Sequence, residues 1–193
     1  METTWKLQPK VTIQHHSAEI FAIRFSPDGL YLTVGCGDGS VKVYNVRTGI
    51  EVNKLQEGSS GLLPITAVRF RPVPEGAQAR TKNVFIAANT SGQIQHWHMS
   101  SGKCLHSMDL GPDNDDQIYA LDYDQNGHNF LSAGKNRVIR LYDEDTKSLV
   151  TELRSGSGMT RSAPVAPGHS NRIFAAKYVP HDNNLIISGG WDR

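Results

Sequence analysis

The chain has 193 residues, 38% of them hydrophobic and 20% charged, with 20 basic and 19 acidic side chains and a formal net charge of +1. This is the composition of an ordinary globular protein, and a charge so near balance builds no field for nucleic acid or an anionic membrane, which leaves partner choice to local surface. No apolar run reaches the roughly 20 residues of a membrane-spanning helix, and Met1-Glu2-Thr3-Thr4-Trp5-Lys6 lacks the basic-then-apolar order of a secretory leader, so an intracellular protein is expected, cytoplasmic or nuclear, neither secreted nor transmembrane.

Residues 4–14 alternate apolar and polar side chains near their end, as a half-buried strand does, with Pro9 confining the early part to an edge. Strands are then expected at 20–25, 30–36, 40–46 and 51–55. The Ser26-Pro27-Asp28-Gly29, Asp38-Gly39 and Thr48-Gly49 turns divide them, because Pro presets a negative φ and Gly accepts the positive one that follows. A second set runs through 65–70, 84–88, 93–99 and 103–108, its first hairpin lengthened by a surface excursion at 71–83. A third covers 118–123, 129–133, 137–142 and 148–153, followed by a linker rich in Ser, Gly and Pro at 155–168. The last two strands are expected at 173–179 and 185–190.

Each set opens on the same six-residue pattern: Ile, any residue, Ala, apolar, charged, aromatic. Ile20-Phe21-Ala22-Ile23-Arg24-Phe25 returns at Ile65–Phe70, as Ile118-Tyr119-Ala120-Leu121-Asp122-Tyr123, and as Ile173-Phe174-Ala175-Ala176-Lys177-Tyr178. The starts lie 45, 53 and 55 residues apart, near the period of roughly 40–50 residues that marks propellers and arrays. No segment carries a helical period, so the chain is expected to be all-β. Its two cysteines, Cys36 and Cys104, fall in strands and read as small apolar residues rather than a disulfide or a metal site.

These units resemble WD40 repeats, the four-stranded antiparallel blades of a β-propeller, over about residues 15–193. The resemblance implies an incomplete propeller of about three and a half blades, at 16–56, 61–108, 114–153 and a truncated 169–193, plus the N-terminal strand at 4–14. It also implies a buried hydrogen-bond network in each blade. The first blade offers His16, Asp38 and Tyr44, the second Trp97, the third Ser132, Asn136 and Tyr142, and the fourth His169, Ser188 and Asp192. Val34, Ala87 and Ser91 replace other members of the pattern, so the second and third blades are expected to lean on apolar packing. Three and a half blades do not close a ring of about four to eight. The sequence is therefore expected to be part of a longer propeller or half of a ring that a second chain completes, with 4–14 suited to pair with the last blade.

His169, Ser188 and Asp192 are also the residue types of a hydrolase triad. Ser188 lies within a strand, no Gly-x-Ser-x-Gly elbow occurs, and no helix N-terminus is expected, so a structural role is favoured and no enzyme is expected. Gly35, Gly37 and Gly39 precede a strand rather than the helix a phosphate cradle needs. His96 and His98, with His106, fall short of a metal-ligand set, and no cofactor or metal is expected. Asp113-Asn114-Asp115-Asp116 reads as an exposed acidic loop, lacking the later Gly and Glu of a calcium site.

The expected function is a non-enzymatic scaffold for protein partners in a larger intracellular complex. In the resembled family the usual docking face bears the loops between blades and the turns after each second strand. On this chain that face would carry Thr90, Lys135 and Trp191, with Asp113, Asp115, Asp116 and Arg161 nearby. Trp191 stands first, since an aromatic at an exposed turn offers large contact area at small rotamer cost. The alternatives are a nucleic-acid-associated module, for RNA or chromatin, or a fragment of an enzyme-complex subunit. Direct nucleic-acid contact is disfavoured because no aromatic platform interleaves the basic residues.

Overall fold

The computed structural model describes residues 6, 8–13, 18–57, 63–73, 83–109, 116–154 and 168–192. Among them are fourteen strands and no helix. The first sheet holds β1 (Ile20–Phe25), β2 (Tyr31–Cys36), β3 (Val41–Asn45) and β4 (Glu51–Leu55), and the second β5 (Ile65–Phe70), β6 (Val84–Asn89), β7 (Ile94–His98) and β8 (Lys103–Met108). The third holds β9 (Ile118–Tyr123), β10 (Asn129–Gly134), β11 (Ile139–Asp143) and β12 (Leu149–Leu153), and the fourth is a pair, β13 (Ile173–Val179) and β14 (Asp182–Gly190). Each is an antiparallel meander whose first strand is one of the Ile-x-Ala units. The array is an incomplete β-propeller, as expected.

Turn chemistry sets the hairpins. Asp28 accepts from the Leu30 amide at 3.0 Å, and Asp38 from the Ser40 amide at 3.1 Å with Gly39 at φ +78, where a side chain would be strained. Gly127, at φ +69, is held for a second reason, since a Cβ there would lie 2.9 Å from the Pro72 carbonyl of the second sheet. The fourth sheet departs from expectation at its hairpin. His181 takes φ +70 and β14 begins at Asp182, three residues before the expected start.

The core lies between sheets. Ala22 pairs with Gly35, Ala67 with Ala88, Ala120 with Ala133 and Ala175 with Gly189, so each sheet presents a shallow seat of two small residues to the sheet that follows. The opening isoleucines Ile65, Ile118 and Ile173 occupy the first three seats and are 2%, 0% and 1% exposed. Gly35 is needed for this fit, because a Cβ would come within 2.8 Å of Ile65 Cγ2. Between the second and third sheets Phe130 stacks on Tyr142 at 4.9 Å and meets the edge of His96 at 5.3 Å.

Residues 8–13 differ from the expected strand. They form no ladder, and Pro9 has no amide to offer one. Val11 instead lies against Gly49, and Ile13 packs with Val34, Cys36 and Tyr44 of the first sheet. Cys36 is a buried free thiol, as expected, whereas Cys104 is half-exposed. Burial and the Glu57 carboxylate push its thiol up to about 11, so it is no ready nucleophile at neutral pH.

Candidate partner-binding rim and its supports

One backbone hydrogen bond recurs in all four sheets. The residue just past the end of the second strand, or its continuation, donates its amide to the carbonyl just before the first strand. Gly37 reaches Glu19 at 2.8 Å, Thr90 reaches Pro64 at 3.2 Å, Lys135 reaches Gln117 at 3.0 Å and Trp191 reaches Arg172 at 2.9 Å. Thr90, Lys135 and Trp191 are thus brought to equivalent points on one rim, as expected, and Gly37 is the fourth member.

Inside the rim stand the second residues of the repeated unit, Phe21, Thr66, Tyr119 and Phe174, along an axial cavity of about 280 Å³ that also meets Arg24 and Lys177. Tyr119 and Phe174 stack with centroids 5.0 Å apart, and Trp191 meets Phe174 edge-on at 5.9 Å. The Trp191 side chain is nonetheless 73% exposed. Arg137 and Arg172 are exposed on the same rim beside the half-buried Lys135.

Beneath the rim the fourth sheet carries the predicted network. His169 Nδ1 lies 2.8 Å from the Asp192 carboxylate, its Nε2 lies 2.8 Å from Ser188 Oγ, and Asp192 also accepts the Ser170 amide at 2.9 Å. The His169 contact holds the Asp192 carboxyl below its ordinary value. The connectivity is that of a hydrolase relay, but Ser188 sits within the paired length of β14 opposite Ala176, not on an exposed elbow. The trio ties the Gly168-His169 approach to the Trp191 turn. Ser188→Ala should lower stability by about 1 kcal/mol, the worth of one such bond, read as a small fall in the thermal midpoint.

The third sheet corrects two expectations. Asp116 is 1% exposed, not part of an exposed acidic loop. Its carboxylate accepts the Asn136 amide at 3.0 Å and pairs with Arg140 at 2.5 Å, and Arg140 also binds Glu152 at 2.9 Å. Burial alone would lower the Arg140 guanidinium, yet the Asp116 and Glu152 bonds raise it. An ion pair therefore supports this blade where apolar packing was expected. Asn136 accepts the Val138 amide at 3.2 Å, while Ser132 and Tyr142 are buried, and burial raises the Tyr142 phenol.

In the second sheet the turn acceptor is Asn89 rather than Ser91. Asn89 Oδ1 takes the Ser91 amide at 3.0 Å and the Gln93 amide at 3.1 Å. Trp97 donates its indole N–H to Gln95 at 3.3 Å, and Gln95 donates to Glu57 at 2.7 Å. In the first, Asp38 takes the Ser40 hydroxyl at 2.6 Å and Tyr44 donates to Glu51 at 3.3 Å. His16, Asp113, Asp115 and Arg161 lie outside the described residues.

Two junctions were not anticipated. Glu144, 2% exposed, accepts Tyr123 at 3.2 Å, lies 3.1 Å from His96 Nε2, and faces Lys147 at 2.8 Å and Arg71 at 3.7 Å, joining the second and third sheets. Asp122 meets Arg69 at 2.6 Å and the Tyr178 amide at 2.9 Å, linking three sheets. Among the described residues no group of three or more His, Cys, Asp or Glu side chains is placed to hold a metal, and no helix is long and apolar enough to cross a membrane.

A family profile described as WD domain, G-beta repeat, matches residues 7–45, 102–143 and 162–193. The periodic tryptophan protein 2 homolog of Dictyostelium discoideum is 26% identical over 180 residues, 93% of this chain and 17% of its own length. The U3 small nucleolar RNA-associated protein 21 homolog of Schizosaccharomyces pombe is 24% identical over 191 residues, 96% of this chain and 18% of its own. The chain thus spans less than a fifth of the length of these curated relatives. A chain of the mitotic checkpoint complex crystal structure superposes with a TM-score of 0.70 at 17% identity, covering 92% of this chain and 46% of that one.

Proposed function

Because the chain belongs to the WD40 family of G-beta repeats, we propose that it is a non-enzymatic, intracellular scaffold that holds protein partners in a larger complex through the rim of Thr90, Lys135 and Trp191. The observation that carries this reading is the fixed yet exposed state of Trp191, whose amide is bonded to Arg172 and whose ring is braced by Phe174 while 73% of the side chain stays open. A braced aromatic loses little rotamer freedom on docking, and a few such anchors carry most of the energy of an interface. Names among the relatives support the assembly context, one being a subunit of the target of rapamycin complex.

Trp191→Ala is expected to leave the thermal midpoint nearly unchanged and to deplete captured partners about tenfold or more, as a loss of at least about 2 kcal/mol at a hot spot requires. Quantitative mass spectrometry of complexes captured on the wild-type and variant chains checks it, and an unaltered partner set would remove the rim as the docking surface. The second reading, a nucleic-acid-associated module, draws on the relative named for a small nucleolar RNA and on Arg137 and Arg172 beside the aromatics. It requires RNA binding that weakens steeply with added salt.

A further inference from the structure

Three of the four seats described above are filled, and the fourth is open. A Cβ built on Gly189 would meet nothing within 4 Å, and its partner Ala175 is exposed. The unit at the other end of the array is correspondingly unseated. Ile20, Ile23 and Phe25 are 53%, 51% and 62% exposed, whereas Ile65, Val68 and Phe70 are 2%, 2% and 7% exposed and Ile118, Leu121 and Tyr123 are 0%, 6% and 4% exposed. The same side chains at the same register are a finished core in two sheets and a bare face in the first.

The bare face also has a particular width. In the second sheet, Ala87 and Trp97 are covered by Val41, Val43 and Leu55 from the outer strands β3 and β4 of the sheet before it. The matching residues of the first sheet, Val34 and Tyr44, are already covered by Ile13. What remains open is the part that an inner pair of strands would cover. The β13–β14 sheet is such an inner pair, with Leu185 and Ile187 exposed beside Gly189.

We infer that two copies of this chain close head to tail, with Ile20 of each copy seated on Ala175 and Gly189 of the other. One twofold axis satisfies both contacts, and the two four-sheet arrays make a ring of eight sheets, within the range of about four to eight blades that propellers adopt. The interface repeats the sheet-on-sheet packing already present three times in the chain. Its charges are distinctive. Arg69 meets Asp122 across the second junction, but the equivalent groups at the new contact are Lys177 and Arg24, both cations. Screening by salt therefore strengthens the association, opposite to an interface held by ion pairs.

Sedimentation equilibrium of the 193-residue chain tests the inference, with circular dichroism as the check on folding. The wild-type chain is expected to be a dimer that tightens as salt is raised. Ile20→Glu and Gly189→Val alter exposed positions of the single chain, so each should keep its spectrum while weakening the dimer about tenfold or more. Lys177→Asp restores the opposite charge found at the second junction and should tighten the dimer at low salt. A monomer at every concentration up to ~1 mM overturns the inference, as does a dimer that either weakening substitution leaves intact or that Lys177→Asp loosens. A face covered instead by further blades or another protein gives the first of these results.

Discussion

Replacing Glu144 by alanine is expected to lower the urea midpoint by on the order of 1–2 M, a loss of roughly 3–5 kcal/mol for a buried ion cluster stripped of its carboxylate. The side chain is 2% exposed and is shared by His96, Tyr123, Lys147 and Arg71. Its removal leaves cations and a phenol buried at the junction with water excluded. The substitution does not empty the apolar core, so the loss measures the junction itself. Glu144→Gln should retain part of the stability, because the amide still accepts from Tyr123 but no longer offsets the neighbouring charge.

The same junction should make stability pH-dependent in two stages. Burial lowers His96 below its ordinary 6.5, so the unfolded chain takes up a proton that the folded chain resists, and stability falls as pH drops through that value. Burial opposes ionisation of Glu144, but its bonds to His96 and Lys147 hold it below its ordinary 4.5. Its contribution is therefore full above 4.5 and is lost as pH falls through the lower folded value. Urea midpoints measured from pH 7 to 4 should decline in both ranges, and His96→Asn should flatten the upper one.

The second large effect is expected at Asp116. Asp116→Ala leaves Arg140, whose side chain is only 5% exposed, bonded to Glu152 alone, and should cost about 3–5 kcal/mol. Replacing both partners with apolar residues, Asp116→Leu with Arg140→Met, removes the stranded charge and should recover most of that loss. Equal damage from the single and double substitutions would mean that the pair contributes through the Asn136 amide rather than through its charge. Denaturant midpoints for the three proteins separate these cases.

The repeat period and the turn residues were legible because each acts over a few neighbours: Ile-x-Ala units and Asp-Gly turns need no knowledge of what lies across the fold. The supports of the rim were less legible. His169, Ser188 and Asp192 could be aligned with the resembled pattern, but Asn89 takes the acceptor role assigned to Ser91, two positions along the chain. Asp116 read as one of a run of surface acids, since its pairing with Arg140 joins residues 24 apart in sequence. One signal was available. Lys42, Gln95 and Arg140 hold the same place in β3, β7 and β11, each a polar residue amid an otherwise largely apolar strand, and such a place asks for a buried partner.

The bond that fixes each rim residue is made by its main chain. Glycine, threonine, lysine and tryptophan all satisfy it at positions 37, 90, 135 and 191. The four sites therefore behave as an alphabet written on an indifferent frame: their letters can change without disturbing the fold beneath. Divergence among copies of such a domain can proceed one letter at a time, each step altering what is recognised before it alters what is stable.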